Sequence, residues 1–228
     1  MPLHRSLAAL ALAFCTLSTT SCGNTSITFE GPSIQTPWFN FPSKELNPLQ
    51  ISGEEKWHSG DYQGALEDFN ELIKEEPNNG YAYFSRASAL LGLNKPQEAL
   101  GDANKAIELD PNIPEAYETR GVAKAMLDNP GGAILDMNKA IGLNENFTSA
   151  YSNRGEMKSA LGNYDEALID LNKAIEIDPN YERAYLHRAK NYNRQGNVTD
   201  ACKDFKKAAS LGDPVAIGIL ESNPDACK

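Results

Sequence analysis

From about residue 46 onward, apolar residues recur three and four positions apart in short runs broken by glycine, asparagine and proline. Residues 148–181 show the pattern well. Ala150, Tyr151, Met157 and Leu161 lie before Gly162; Ala167, Leu168, Leu171, Ala174 and Ile175 follow it. That spacing on both sides of a glycine predicts two amphipathic helices. Gly162 ends the first by supplying a left-handed residue, and Pro179 ends the second. Elsewhere Pro96 and Pro130 sit where a second helix would start, a position at which a missing N–H costs nothing. Small residues at Gly155, Ala167 and Ala174 let helix backbones approach closely.

The pair of helices is a repeating unit, which governs the reading of the fold. Arg86, Arg120, Arg154 and Arg188 are spaced by 34 residues, as are Tyr83, Tyr117, Tyr151 and Tyr185. Two longer columns share the register: Ala65, Ala99, Ala133, Ala167 and Ala201, and Asp68, Asp102, Asp136, Asp170 and Asp204. The units are 46–79, 80–113, 114–147, 148–181 and 182–215. Unit one is degenerate in its first helix, with Leu49 at the first aromatic position and Ser52 in place of arginine. Its second half, from Gly60 and Tyr62 through Ala65, Phe69 and Pro77, is regular. After unit five, Asp213 and Pro214 predict the cap and first turn of a further helix reaching about Ser222.

These residues resemble the tetratricopeptide repeat, with its aromatic, Gly, Ala and Pro positions at fixed offsets. The Leu of that family's Leu-Gly pair is Arg in units two to five. The resemblance covers about three quarters of the chain. It implies an all-α, right-handed superhelical solenoid of about five helix pairs. A capping helix and tail over 213–228 would cover the apolar face left by the last repeat.

The N-terminus is of another kind. Residues 1–22 have a short basic head with Arg5, an apolar stretch from Leu7 to Leu17 and a small-residue tail ending at Cys22. This is the layout of a secretory signal, and the stretch is too short to span a bilayer as a mature helix. The tail resembles a bacterial lipoprotein signal, which implies acylation of Cys22 and a membrane anchor. Thr19 stands where that pattern prefers Leu. Residues 23–45, with Pro32, Pro37 and Pro42, read as an extended tether or arm. Trp38, Phe39 and Phe41 within it call for a surface to lie on. That surface is either the first helices of the domain or a docking partner.

Composition narrows the function. The 228 residues carry 21 Lys+Arg against 31 Asp+Glu, a net charge of −10. So acidic a chain is a poor binder of phosphate backbones, and no nucleic-acid partner is expected. Four cysteines rule out a disulfide-dense miniprotein. With Cys15 cleaved off and Cys22 acylated, Cys202 and Cys227 remain in an oxidising compartment. A capping helix antiparallel to its predecessor returns the chain toward Cys202, so a disulfide between the two is expected. His58 and His187 are the only histidines after the signal. No nucleophile has a plausible base, and neither a phosphate loop nor metal-ligand spacing occurs. The chain reads as a non-enzyme without metal or cofactor.

The Arg and Asp columns are read as structural ion pairs on antiparallel helices. Pairing within a unit (Arg86 with Asp102) strands Asp68; pairing across units (Asp68 with Arg86) strands Asp204. Binding is assigned by resemblance to the concave groove lined by the first helix of each unit. Unit one offers Gln50, Ile51, Glu54, Trp57 and His58; unit two Tyr81, Phe84, Ser85, Ser88 and Leu91; unit three Glu115, Glu118, Thr119, Val122 and Met126. Unit four offers Ser152, Asn153, Glu156 and Ser159; unit five Arg183, Leu186, His187, Lys190, Asn193 and Arg194. The first two units are apolar and aromatic, the last basic. The carboxylate clamp that some relatives use for chaperone tails is unmatched, since Gln50, Glu54, Ser85, Glu115 and Thr119 occupy its positions. The expected function is an adaptor holding a peptide or protein of the bacterial envelope, exported to the periplasm and membrane-anchored through lipid. The alternative is a self-association module whose groove takes its own N-terminal arm or another copy.

Overall fold

The computed structural model describes residues 47–222 and Cys227; the signal segment, Cys22 and the 23–45 arm lie outside the described residues. Among the described residues there are eleven α-helices and no strand. Unit one contributes α1 (Pro48–His58) and α2 (Tyr62–Glu75). Units two and three contribute α3 (Gly80–Gly92), α4 (Pro96–Leu109), α5 (Pro114–Met126) and α6 (Pro130–Leu143). Units four and five contribute α7 (Thr148–Ala160), α8 (Tyr164–Ile177), α9 (Glu182–Arg194) and α10 (Val198–Ser210), and α11 (Pro214–Ser222) closes the stack. Each helix packs on its sequence neighbours, and each first helix also touches the first helix of the next unit. That layering is a helical solenoid. No described helix is long and apolar enough to cross a membrane.

The turn inside each unit needs a left-handed residue at one fixed place. Gly60, Gly162 and Gly196 supply it with φ of 84°, 84° and 79°, while Asn94 and Asp128 do so at 58° and 60°. Asn and Asp are the side chains that tolerate this region best. Second helices start on caps: Asp61 accepts from the Gly64 N–H at 2.9 Å and Asn129 from the Gly132 N–H at 2.9 Å.

The core is thin and graded by size. The alanine column is fully enclosed. In units one, three and four the large residue of the second helix faces a glycine of the first. A Cβ on Gly53 would lie 2.6 Å from Phe69 Cε1, and one on Gly155 would lie 2.7 Å from Leu171 Cγ. Phe69, Met137 and Leu171 fill the space so made and are almost wholly buried. The close backbone approach expected at Gly155 is thus tied to Leu171.

The arginines pair within their own units. Arg154 donates from Nε and Nη2 to both oxygens of Asp170, at 2.8 and 2.6 Å. Arg86 does the same with Asp102, Arg120 with Asp136 and Arg188 with Asp204, all between 2.6 and 3.0 Å. The remaining Nη1 reaches back one layer to a second-helix asparagine. Arg86 meets Asn70 at 2.9 Å, Arg120 Asn104 at 3.1 Å, Arg154 Asn138 at 2.7 Å and Arg188 Asn172 at 2.6 Å. Each guanidinium also lies over the tyrosine three residues earlier, Tyr83, Tyr117, Tyr151 or Tyr185, with Cζ 5.3–5.5 Å from the ring centre. Asp68 is not stranded, contrary to the expectation for within-unit pairing. Ser52 donates to it at 2.7 Å and Lys56 pairs with it at 2.6 Å. Lys124 and Lys158, at the same place as Lys56 in later units, add 2.7 and 3.0 Å contacts to Asp136 and Asp170.

At the C-terminal end Asp213 is buried and accepts from the Ala216 N–H at 2.7 Å. Ala216, Ile219 and Leu220 of α11 cover Leu186, Ala189, Phe205 and Ala208 of α9 and α10. Cys202 and Cys227 are joined, with Cα atoms 5.3 Å apart. Lys206 Nζ donates to the Cys227 carbonyl at 2.6 Å.

Two outcomes are expected. Arg154→Ala leaves Asp170, whose side chain is 4% exposed, with Lys158 alone; chemical denaturation should show a loss of roughly 3 kcal/mol. An unchanged midpoint would remove the arginine's structural role. Cys202→Ser opens a loop of 25 residues and should cost roughly 3–4 kcal/mol on chain-entropy grounds. Two alkylatable thiols in unreduced native protein would show that the bond is absent.

Candidate functional site

The first helices α1, α3, α5, α7 and α9 stand side by side and line one face of the solenoid. At its N-terminal end that face is aromatic. Tyr81 and Phe84, one turn apart on α3, meet edge to face at 5.0 Å. Trp57 packs edge-on against His58 at 5.1 Å and Tyr62 at 6.3 Å and stays 37% exposed. Ile51 is 43% exposed and Met126 44%. Phe84 and Leu91 are half-buried, because Phe84 also packs on Ala106, Ile113 and Ala116 and Leu91 on Ala87 and Leu90. The accessible apolar surface therefore rests on Trp57, Ile51 and Met126 more than on Phe84 and Leu91.

Farther along, polar groups pair from one first helix to the next. Ser88 meets Thr119 at 3.3 Å, Asn153 donates to Glu118 at 2.9 Å, and Ser152 contacts His187 Nδ1 at 3.0 Å. Arg194 donates to Ser159 at 2.8 Å and pairs with Glu156 at 3.1 Å. The basic end is consequently less basic than the sequence suggests. Arg194 is neutralised by Glu156, and burial holds His187 below the ordinary histidine pKa. Arg183 is exposed and Lys190 half-buried, and among the described residues neither forms an ion pair.

Carboxyl groups dominate the middle. Burial pushes Glu54, Glu115 and Glu118 above the usual carboxylate range, Glu118 to about 7. For Glu118 desolvation is the largest cause and repulsion from Glu115 adds to it; hydrogen bonds from Ser149 and Asn153 and the charge of Arg183 oppose it. Gln50 donates to Glu54 at 3.1 Å, and His58 acts on it from a distance. The Tyr81 hydroxyl lies in the field of Glu54 and Glu115, and the Tyr181 hydroxyl in that of Glu118; burial and those charges raise both. Among the described residues, no group of three or more His, Cys, Asp or Glu could hold a metal ion.

Two features escaped the sequence reading. Asn70, Asn104, Asn138 and Asn172 recur at the same 34-residue spacing as the arginines they serve, and that spacing is the signal that would have found them. The desolvation of Glu118 had none, since it depends on α7 and the start of α9 closing over it.

The sign of the Glu118 effect is fixed. Its folded-state pKa exceeds the ordinary 4.5, so the native state binds the proton more tightly. Its contribution to stability therefore falls as pH rises from about 4.5 to about 7. Glu118→Gln should stabilise the fold by roughly 2 kcal/mol above pH 7 and flatten this part of the pH profile. Equal denaturation midpoints for variant and wild type across that range would show that Glu118 is solvated.

Models of the tetratricopeptide repeat match residues 52–114, 148–181 and 183–211. The chain is similar to the MamA crystal structure at 30% identity, over 72% of this chain and 96% of that one, with a TM-score of 0.56. It is similar in fold to a thermophilic TPR protein of Thermus thermophilus, at 22% identity over 79% and 97% of the two chains, TM-score 0.69. YrrB, a TPR protein with an unusual peptide-binding site, aligns at 20% identity over 76% of this chain and 91% of its own, TM-score 0.54. No curated protein sequence matches significantly. Repeat by repeat and by overall likeness, the chain belongs to the tetratricopeptide-repeat family.

Proposed function

We propose that this protein is a non-catalytic scaffold that holds a peptide or protein segment in the groove of its first helices. The observation that carries the reading is the N-terminal part of that groove, where Trp57 and Ile51 stay exposed beside the Tyr81–Phe84 pair. Clustered aromatic side chains on a rigid face are the usual anchors of a protein interface. YrrB carries its peptide-binding site on the same fold.

The place of action is the bacterial envelope, with Cys22 acylated and the 23–45 arm as tether. The sequence of residues 1–22 supports export. The Cys202–Cys227 bond supports it independently, because such bonds persist in oxidising compartments.

Partners captured from detergent-solubilised envelopes should be lost when Trp57 and Phe84 are replaced by Ala, at roughly 2–4 kcal/mol each. Thermal melts separate lost binding from lost packing at Phe84. Capture indifferent to both substitutions would move the site off the groove. Deleting residues 23–45 tests the self-association alternative: monomerisation on deletion would establish it. Cys22→Ser should release the mature protein from membranes, and unchanged membrane association would reject the anchor.

A further inference from the structure

The two ends of the stack are unlike each other, and each keeps apolar side chains in the open. On the first helix of a unit, one face meets the layer before it. Thr119 contacts Ser88 across that junction, Asn153 contacts Glu118, and Asn191 donates to the Tyr164 carbonyl. The positions on that face are closed in later units. Ala82, Ala116, Ala150 and Ala184 are fully enclosed, Ser85 and Thr119 are buried, and so are Ala89 and Ala123. In α1 the same positions hold Pro48, Ile51 and Glu55. All three are exposed, because no layer precedes α1 among the described residues. The chain places an isoleucine where the surface is open and Ser, Thr, Asn or His where later units close it.

At the other end α11 is built as the first helix of a sixth unit. Asp213 caps it, and its third residue, Ala216, is enclosed as Ala184 is in α9. Among the described residues no second helix follows it, and Val215 is 49% exposed and Ile217 37%. A terminal cap in a repeat stack normally turns a polar face outward; α11 turns these two. Lys206, also exposed, falls in the column whose asparagines hold the arginine of the next layer.

Charge separates the ends as well. Unit one has eight acidic residues against two lysines, a net −6; unit five has four acidic against seven basic residues, a net +3. Glu55 and Glu67 are exposed at the first end, Lys206 and Lys207 at the second. An acidic end and a basic end, each with exposed aliphatic side chains, complement each other and repel their own kind. The partner that fits either end is therefore the opposite end of the same chain.

We propose that the α1 end of one copy docks on the α11 end of another, Ile51 against Val215 and Ile217, with Lys206 and Lys207 facing the acidic first unit. This goes beyond the groove reading and shares only Ile51 with it. The contact is heterologous. Every copy in a row leaves one α1 end and one α11 end for further copies, so the row lengthens with concentration.

Sedimentation velocity tests this on the mature chain carrying Cys22→Ser, so that no lipid drives association. Weight-average mass should rise about twofold or more between about 10 μM and about 1 mM. It should fall back toward the monomer as salt rises from about 0.05 M to about 0.5 M. Ile51→Glu blocks the α1 end and Ile217→Glu the α11 end. Each alone should stay monomeric, with circular dichroism confirming the fold; Ile51→Ser and Ile217→Ser serve where a glutamate disturbs it. An equimolar mixture of the two should form a one-to-one dimer, because one open end of each kind remains. Met126→Ser, in the groove between the ends, should associate as the wild type does. A wild type that is monomeric at about 1 mM overturns the proposal. So does association that persists in either single variant alone, which means that like ends pair or that the 23–45 arm joins copies. A mixture that stays monomeric, or association lost in Met126→Ser, overturns it too. Each of these failures leaves capture of an external segment in the groove standing.

Discussion

A solenoid has no contacts between distant parts of its chain, so every layer junction has to fix its own geometry. Here one guanidinium does so four times over. Arg154 clasps Asp170 in its own unit, reaches Asn138 in the unit before and stacks on Tyr151 of its own helix. The fork is planar, so satisfying Asp and Asn together leaves little freedom in the angle between three helices. An apolar residue at that position would supply burial without direction. The family's usual leucine gives way to arginine in units two to five, and the structure shows what replaces its packing: a stem on a tyrosine ring and a head with three acceptors.

The need for such a latch follows from the thinness of the core. Alanine columns and glycines opposite Phe69, Met137 and Leu171 bring helix backbones close but bury little area per layer. Dispersion from close packing offsets part of that, and directional polar contacts hold the register. The ends, where one neighbour is missing, are treated differently. Unit one lacks the arginine, and Ser52 and Lys56 serve Asp68 in its place. Unit five keeps its latch and adds α11, the buried Asp213 cap and the Cys202–Cys227 bond. The C-terminal junction, which would otherwise fray first, is covalently tied to the helix it covers.

How far the sequence carried depended on whether a feature repeats. Helix pairs, turn positions and the α11 cap were legible because the same spacing states them in several units. The Asn column is equally legible, at the same 34-residue spacing. The choice between within-unit and cross-unit pairing was not, since positions on adjacent antiparallel helices are compatible with both until the layer angle is known. Lys56 resolved the fate of Asp68, and nothing in its spacing announced it, because only units three and four carry a lysine at the same place. The pairing of Arg194 with Glu156 was hidden for a related reason. Its partners lie 38 residues apart, off the repeat period, on helices brought together by the stacking itself.

That last contact bears on how the groove can work. In units three to five several polar groups of the first helices are spent on neighbouring first helices: Glu118 with Asn153, Ser152 with His187, and Arg194 with both Glu156 and Ser159. A ligand that recruited these groups would have to break interlayer contacts and so loosen the scaffold. At Ile51 and Trp57 the exposed surface is apolar, and engaging it breaks no interlayer ion pair among the described residues. A segment seated there would meet a preorganised surface, with the ordering cost already met by folding. The polar ladder thus ties neighbouring first helices together, while the exposed side chains of Ile51 and Trp57 take no part in it.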